Sequence, residues 1–287
     1  VKTEARQKAI SIKDERLDVD HIDHYLLSFF IGTSSCEICI YDDRKKRVVL
    51  FESIPLDQDK TLLENLKEIH HEHILISAGF WKSVIITLRN HSFAQVPNDL
   101  YSGDYAYDYI KLNAHTDPLK EKYVSTLDET QGCTTVFSVP QELIRWIDGK
   151  YPKPSIVFRH ESANFLKTLT SQVRKDKEEL FVNLTGDDML LAGFKDGQLS
   201  IYNQFKLQTA QQLAKMILLA IKQFSENGQS TPITLWGTQE AVKLYEPTLR
   251  KFFKHLKYGE RPKGIRMSHD FDTLREYEYF DVFASYQ

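Results

Sequence analysis

The sequence reads as an α/β protein of two lobes, each a mixed β-sheet meander flanked by helices. Three observations lead there. Two segments, 25–54 and 180–202, each run as an apolar strand, a tight turn at a glycine and two further strands, and an amphipathic helix pattern follows each. A later segment, 233–237, is a short apolar strand that ends at Gly237 and meets a helix start at Thr238. Between the halves lies a charged break, Lys175 to Glu179, which divides residues 21–175 (first lobe) from 176–287 (second lobe), with 1–20 as a polar extension.

The elements follow from local pattern. An apolar strand runs from Tyr25 to Ile31, breaks at Gly32, Thr33, Ser34 and Ser35, and restarts with alternation through Tyr41. A polar turn at 42–46 leads to a third strand at 48–51. Leu62, Leu63, Leu66 and Ile69 mark one face of a helix over 61–70. Strands are expected at 83–88 and 92–96, the second stopped by Pro97. Thr134 to Ser138 reads as a strand running into a helix, with Ser138 as N-cap and Gln141 at capping-box spacing. A strand at 155–158 and a helix near 162–173 complete the first half. In the second half, strands are read at 180–185, 189–194 and 199–202. Thr209 and Gln212 then open a helix whose core face carries Leu213, Met216, Ile217, Ala220, Ile221 and Phe224.

Composition excludes several classes. At 287 residues and 41% hydrophobic the chain can bury a substantial core, and its net charge of −3 argues against a dedicated nucleic-acid binder. No apolar run reaches membrane-spanning length, and residues 1–8 lack the apolar core of a secretory leader, so a cytoplasmic location is expected. Cys36, Cys39 and Cys133 are too few for a disulfide framework. Cys36 and Cys39 match C-x-x-C, but on a strand positions i and i+3 point to opposite faces, which argues against a redox pair.

Gly32 followed by three hydroxyl residues is a turn that can offer N–H and O–H groups to a phosphate. Two meander-plus-helix halves followed by a strand–Gly–helix element resemble the actin-like ATPase (ribonuclease H-like) fold. The resemblance is nearest to PilM- and FtsA-type proteins, and nearer still to a bacterial family of unknown function with an actin-like fold. Segments 93–97, 137–140, 202–205 and 279–281 carry that last likeness. The resemblance implies that hairpin turns in both lobes bind phosphates and that the strand–Gly–helix turn holds adenosine. The matching positions are Gly32, Thr33, Ser34 and Ser35; Asn183, Thr185 and Gly186; and Gly237 with Thr238. Each motif departs from the pattern. Phe30 and Asn183 stand where the resemblance expects aspartates linked to Mg²⁺, and Trp236 replaces the first glycine of the adenosine turn. A shifted metal site would have to draw on Asp187 and Asp188.

Other constellations have ordinary readings. His70, His71, Glu72 and His73 lie at a helix end without zinc-site spacing, so no metal is expected there. A basic stretch from Arg250 to Arg266 reads as the solvated side of a helix whose buried face is Leu249, Phe252, Phe253 and Leu256. Its local excess of charge leaves an acidic protein partner as an alternative. The stretch 101–109 holds four tyrosines and suits either a protein interface or inward packing. No P-loop, dinucleotide fingerprint or nucleophile elbow is present. The expectation is a non-catalytic actin-like protein with a degenerate nucleotide cleft between its lobes, acting as a protein-binding or assembly scaffold. It needs no cofactor, and a homodimer is one form of such assembly. The alternative is an ATPase or phosphotransferase that uses ATP and an atypical Mg²⁺ site.

Overall fold

A computed structural model describes residues 9–286. The chain folds as two units. One takes the described residues through Asp128, then Gly132–Glu161 and Gly264–Thr273; the other takes Glu129–Gln131, Ser162–Lys263 and the segment from Leu274.

In the first unit, β1 (Ile10–Lys13), β2 (Tyr25–Ile31), β3 (Ser35–Asp42), β4 (Arg47–Pro55), β5 (Ser83–Leu88) and β9 (Ser155–His160) form a six-stranded sheet in the order β1-β4-β3-β2-β5-β9. The first four pair antiparallel, while β2, β5 and β9 run parallel. Leu27, Phe29 and Ile31 of β2 face one core with α1 (Leu62–Glu72) and α3 (Gln141–Lys150); Ser28 and Phe30, the alternate positions, are buried on the other face. Burial on both faces explains why β2 is apolar nearly throughout. A second sheet, in the order β6-β8-β7, joins β6 (Phe93–Pro97), β8 (Cys133–Pro140) and β7 (Glu121–Asp128), and packs Ala94, Val96 and Val136 on α2 (Ala106–Lys111).

In the second unit a five-stranded sheet has the order β12-β11-β10-β13-β14. Its strands are β10 (Glu179–Thr185), β11 (Asp188–Lys195), β12 (Gln198–Lys206), β13 (Ile233–Gly237) and β14 (Leu256–Tyr258). Leu180, Val182, Leu184, Ile233 and Leu235 pack on α5 (Ala210–Phe224) and α6 (Gln239–Phe252). On the opposite face Phe181, Phe194 and Trp236 meet Phe165 and Leu166 of α4 (Glu161–Leu169) and Phe280 of α7 (Phe280–Phe283).

Several local readings change. Residues 1–20 are read as an extension, yet Ile10–Lys13 pairs with β4 as an edge strand; four residues of alternation are too few to stand out in sequence. Ser138 is not an N-cap. It lies inside β8 opposite Tyr123, and Pro140 precedes α3 without a side-chain cap, because pairing with β7 extends β8 to Pro140, opposite Glu121. β7 itself goes unpredicted, since its alternation is half-buried and mostly polar. Phe252 is exposed; the buried residues at the end of α6 are Leu249 and Phe253. Tyr101, Tyr109 and Tyr123 pack inward on the α2 cluster, while Tyr105 is exposed.

Candidate functional site

In the first unit, Ile31 pairs with Cys36, which leaves Gly32, Thr33, Ser34 and Ser35 as the turn of the β2–β3 hairpin. The Gly32 N–H donates to the Ser35 carbonyl at 2.9 Å. The chain leaving β4 braces the tip: Leu56 N–H donates to the Ser34 carbonyl at 2.9 Å and Gln58 Nε2 to the Thr33 carbonyl at 3.1 Å. Ser35 Oγ donates inward to Glu37 Oε1 at 2.6 Å. The backbone approaches closely at Gly32: a Cβ there would lie 3.3 Å from the Ser35 carbonyl oxygen and 3.4 Å from an Arg89 guanidinium nitrogen, so these neighbours would have to give by a few tenths of an ångström.

Arg89 is the group that sequence reasoning missed. It follows β5 directly, its N–H donates to the Ile31 carbonyl at 2.8 Å, and its guanidinium lies 4.6 Å from the centre of the fully buried Phe30 ring. Its Nε donates to Glu161 Oε2 at 2.8 Å, with the two side chains only 5% and 1% exposed. Parallel pairing of β5 and β9 brings the two residues together across 72 positions of sequence. The cation beside the turn is therefore the chain's own, and a buried carboxylate of the chain neutralises it.

A cavity of about 360 Å³ adjoins the turn within this unit, lined by Gly32, Thr33, Lys60, Asn90, Glu121 and Ser138 among others. Asn90 is held on three sides: Ser92 N–H donates to its Oδ1 at 2.9 Å, its Nδ2 donates to the Ser138 carbonyl at 3.3 Å, and its carbonyl accepts from His160 Nε2 at 3.0 Å. His160 stacks on Phe93 at 4.5 Å, and burial pushes its pKa down to about 3, so the ring is neutral.

In the second unit, Asn183, Thr185, Gly186, Gly237 and Thr238 gather at the ends of the adjacent parallel strands β10 and β13. Leu184 pairs with both Met189 and Gly237, and Thr238 N–H donates to the Leu184 carbonyl at 2.9 Å. Gly237 adopts φ 151°, where a Cβ would fall 2.2 Å from that carbonyl oxygen, so the strand-to-helix turn requires glycine. Thr238 Oγ1 accepts from Ala241 N–H at 3.4 Å and caps α6. Asn183 is 2% exposed, in register with Leu190 and Trp236, and its Oδ1 lacks a hydrogen-bond partner. Asp187 is exposed at the hairpin tip and lies 3.3 Å from Lys206 Nζ; Asp188 is buried opposite Thr185. The Trp236 indole is fully buried. It stacks on Phe280 at 4.4 Å and on Phe181 at 5.9 Å, and donates to the Glu260 carbonyl at 2.9 Å. It is a fixed part of the core beneath the turn. The 32–35 turn belongs to the other unit.

The remaining constellations disperse. His70 packs edge-on against Trp146 and Tyr151, and His73 lies 2.9 Å from Glu52 in a buried pair. Cys36, Cys39 and Cys133 are buried free thiols. Among the described residues no group of three or more His, Cys, Asp or Glu side chains is gathered to hold a metal ion, and no helix is long and apolar enough to cross a membrane.

The comparisons with known proteins agree with this architecture. A family model described as "Protein of unknown function (DUF3822)" matches residues 14–256. No curated protein matches the chain. Among solved structures, a Bacteroides thetaiotaomicron protein with an actin-like ATPase fold and unknown function aligns with a TM-score of 0.77 at 18% identity, covering 94% of this chain and 98% of that one. The PilM–PilN type IV pilus biogenesis complex aligns with a TM-score of 0.58 at 12% identity, covering 91% of this chain and 96% of its counterpart. The chain has the actin-like ATPase fold and belongs to the DUF3822 family of proteins of unknown function.

Proposed function

We propose that this protein is a non-catalytic member of the actin-like group and acts by binding a protein partner. The observation that carries the reading is the buried Arg89–Glu161 pair packed against Phe30 and Gly32. A phosphate-binding turn that works with Mg²⁺ needs carboxylate oxygens near the phosphates and an uncommitted positive field. Here the position where the resemblance to actin-like ATPases expects a carboxylate is a buried phenyl ring, and the nearby guanidinium is paired with a buried carboxylate. In the second unit the corresponding position is the amide Asn183, and the Trp236 indole is buried and stacked on Phe181 and Phe280. Any anion the chain still takes would meet the 32–35 turn in one unit, or Asn183, Thr185, Gly186, Gly237 and Thr238 in the other. The PilM neighbour comes from a PilM–PilN complex, which supports a protein-binding role.

The test is calorimetric titration of ATP and ADP into the full chain, with and without Mg²⁺. The expected result is no binding heat at millimolar nucleotide. Micromolar binding that strengthens with Mg²⁺, and is lost in Asp187→Asn or Asp188→Asn, would overturn the reading in favour of an ATPase with a displaced metal site.

A further inference from the structure

The basic stretch of the sequence lies in the second unit. Between 243 and 263 the chain carries seven lysines and arginines against two carboxylates, Glu246 and Glu260, although the whole chain has a net charge of −3. α6 sends Lys243 and Glu246 to the wall of a groove of about 510 Å³, and Arg275 lines it too. Tyr258 and Tyr277 also line the groove, stacked at 4.8 Å and 25°. Two carboxylates, Glu246 and Glu276, line the groove as well, and each is paired with a cation outside its lining: Glu246 accepts from Arg250 Nε at 2.6 Å and is hydrogen-bonded to Tyr258, and Glu276 lies 3.8 Å from the Arg261 guanidinium. Among the described residues Lys243, Lys251, Lys254, Lys257 and Arg275 form no ion pair, and all five are exposed.

We infer that this groove docks an acidic, extended segment of a partner protein. Carboxylates of the segment meet Lys243 and Arg275, and an apolar side chain rests on the Tyr258–Tyr277 pair. Tyrosine supplies contact area at interfaces at modest entropic cost, and arginine is enriched there for its charge and hydrogen bonds. A short acidic segment feels only the local cations, since screening confines their field to about 8–10 Å at physiological salt. A long polyanion would also meet the net negative charge of the rest of the chain, which disfavours nucleic acid. The inference rests on the protein-partner reading, and nucleotide calorimetry is independent of it: a chain that bound Mg²⁺-ATP and also held an acidic peptide would sink the first reading and leave this one standing.

The experiment is fluorescence anisotropy with the full chain and a labelled peptide of about ten residues, glutamates around a central leucine pair. Lys243→Glu with Arg275→Glu is compared with Lys215→Glu plus Lys222→Glu, an equal charge change on exposed positions of α5. Binding should weaken as salt rises, and the groove variant should lose about tenfold in affinity, as expected for two rim charges, while the α5 variant stays within about twofold. Three results would overturn the proposal: equal loss in both variants, no binding at millimolar peptide in low salt, or tighter binding of an oligothymidine of equal charge.

Discussion

Acidification should destabilise the first unit through one residue, His160. The ring is fully buried, stacked on Phe93 and tilted against Phe137, and Nε2 must carry the proton because its partner, the Asn90 carbonyl, can only accept. Desolvation, with smaller contributions from His91 and Arg89, pushes its pKa from 6.5 down to about 3. Between those values the unfolded chain binds the proton and the folded chain does not. The stability from burying neutral His160 is therefore fully present above 6.5 and is lost as pH falls toward 3. At pH 5, one and a half units below the unfolded value, the loss is about 2 kcal/mol, at about 1.36 kcal/mol per unit. Urea unfolding at pH 7 and pH 5, followed by the fluorescence of Trp81 and Trp146 in the same unit, reads this as a midpoint shift on the order of 1 M. His160→Phe keeps the aromatic packing but loses the Asn90 hydrogen bond, a penalty of about 1 kcal/mol at every pH. Its pH dependence should be flatter than that of the unmodified chain by about 2 kcal/mol, and the contribution of His70, which burial also shifts downward, cancels in the difference. Equal pH dependence in the two proteins, or an NMR titration of His160 near 6.5, would refute the reasoning.

Two further perturbations probe the candidate sites. Arg89→Met leaves Glu161 buried without its guanidinium partner and should cost about 3–5 kcal/mol in urea unfolding, with much of the loss recovered by adding Glu161→Gln; no recovery would mean that the pair is not the source of the cost. Gly259→Ala would place a Cβ 1.8 Å from the Trp236 indole, which is fully buried and stacked on Phe181 and Phe280. That overpacking should cost about 1–3 kcal/mol or more and shift the Trp236 emission to the red, whereas an unchanged spectrum and midpoint would show that the stack yields easily.

What was legible in the sequence is what local chemistry controls. Alternation and apolar runs placed β2, β3, β5, β10 and β13, because a strand buried on one or both faces must show that pattern within a few residues. Thr209 and Thr238 were readable as helix starts, since a cap bonds to backbone only two or three residues away, and both do so. Gly32 and Gly237 were readable as turns for the same reason. Ser138 misled because its capping-box spacing is also satisfied inside a strand, and only pairing with β7 decides between the two.

The tertiary structure alone decided what surrounds the turns. Nothing near Phe30 in sequence announces that Arg89 and Glu161, from the ends of two other strands, will close over it. Nor could Trp236 be told apart from a residue guarding a ligand slot until it was seen buried and stacked on Phe181 and Phe280. Hydrogen bonds to near neighbours are specified by short stretches of residues, whereas ion pairs and aromatic stacks between distant segments depend on strand order and register. That is why the actin-like fold was visible in the sequence and the neutralised pair at its first turn was not.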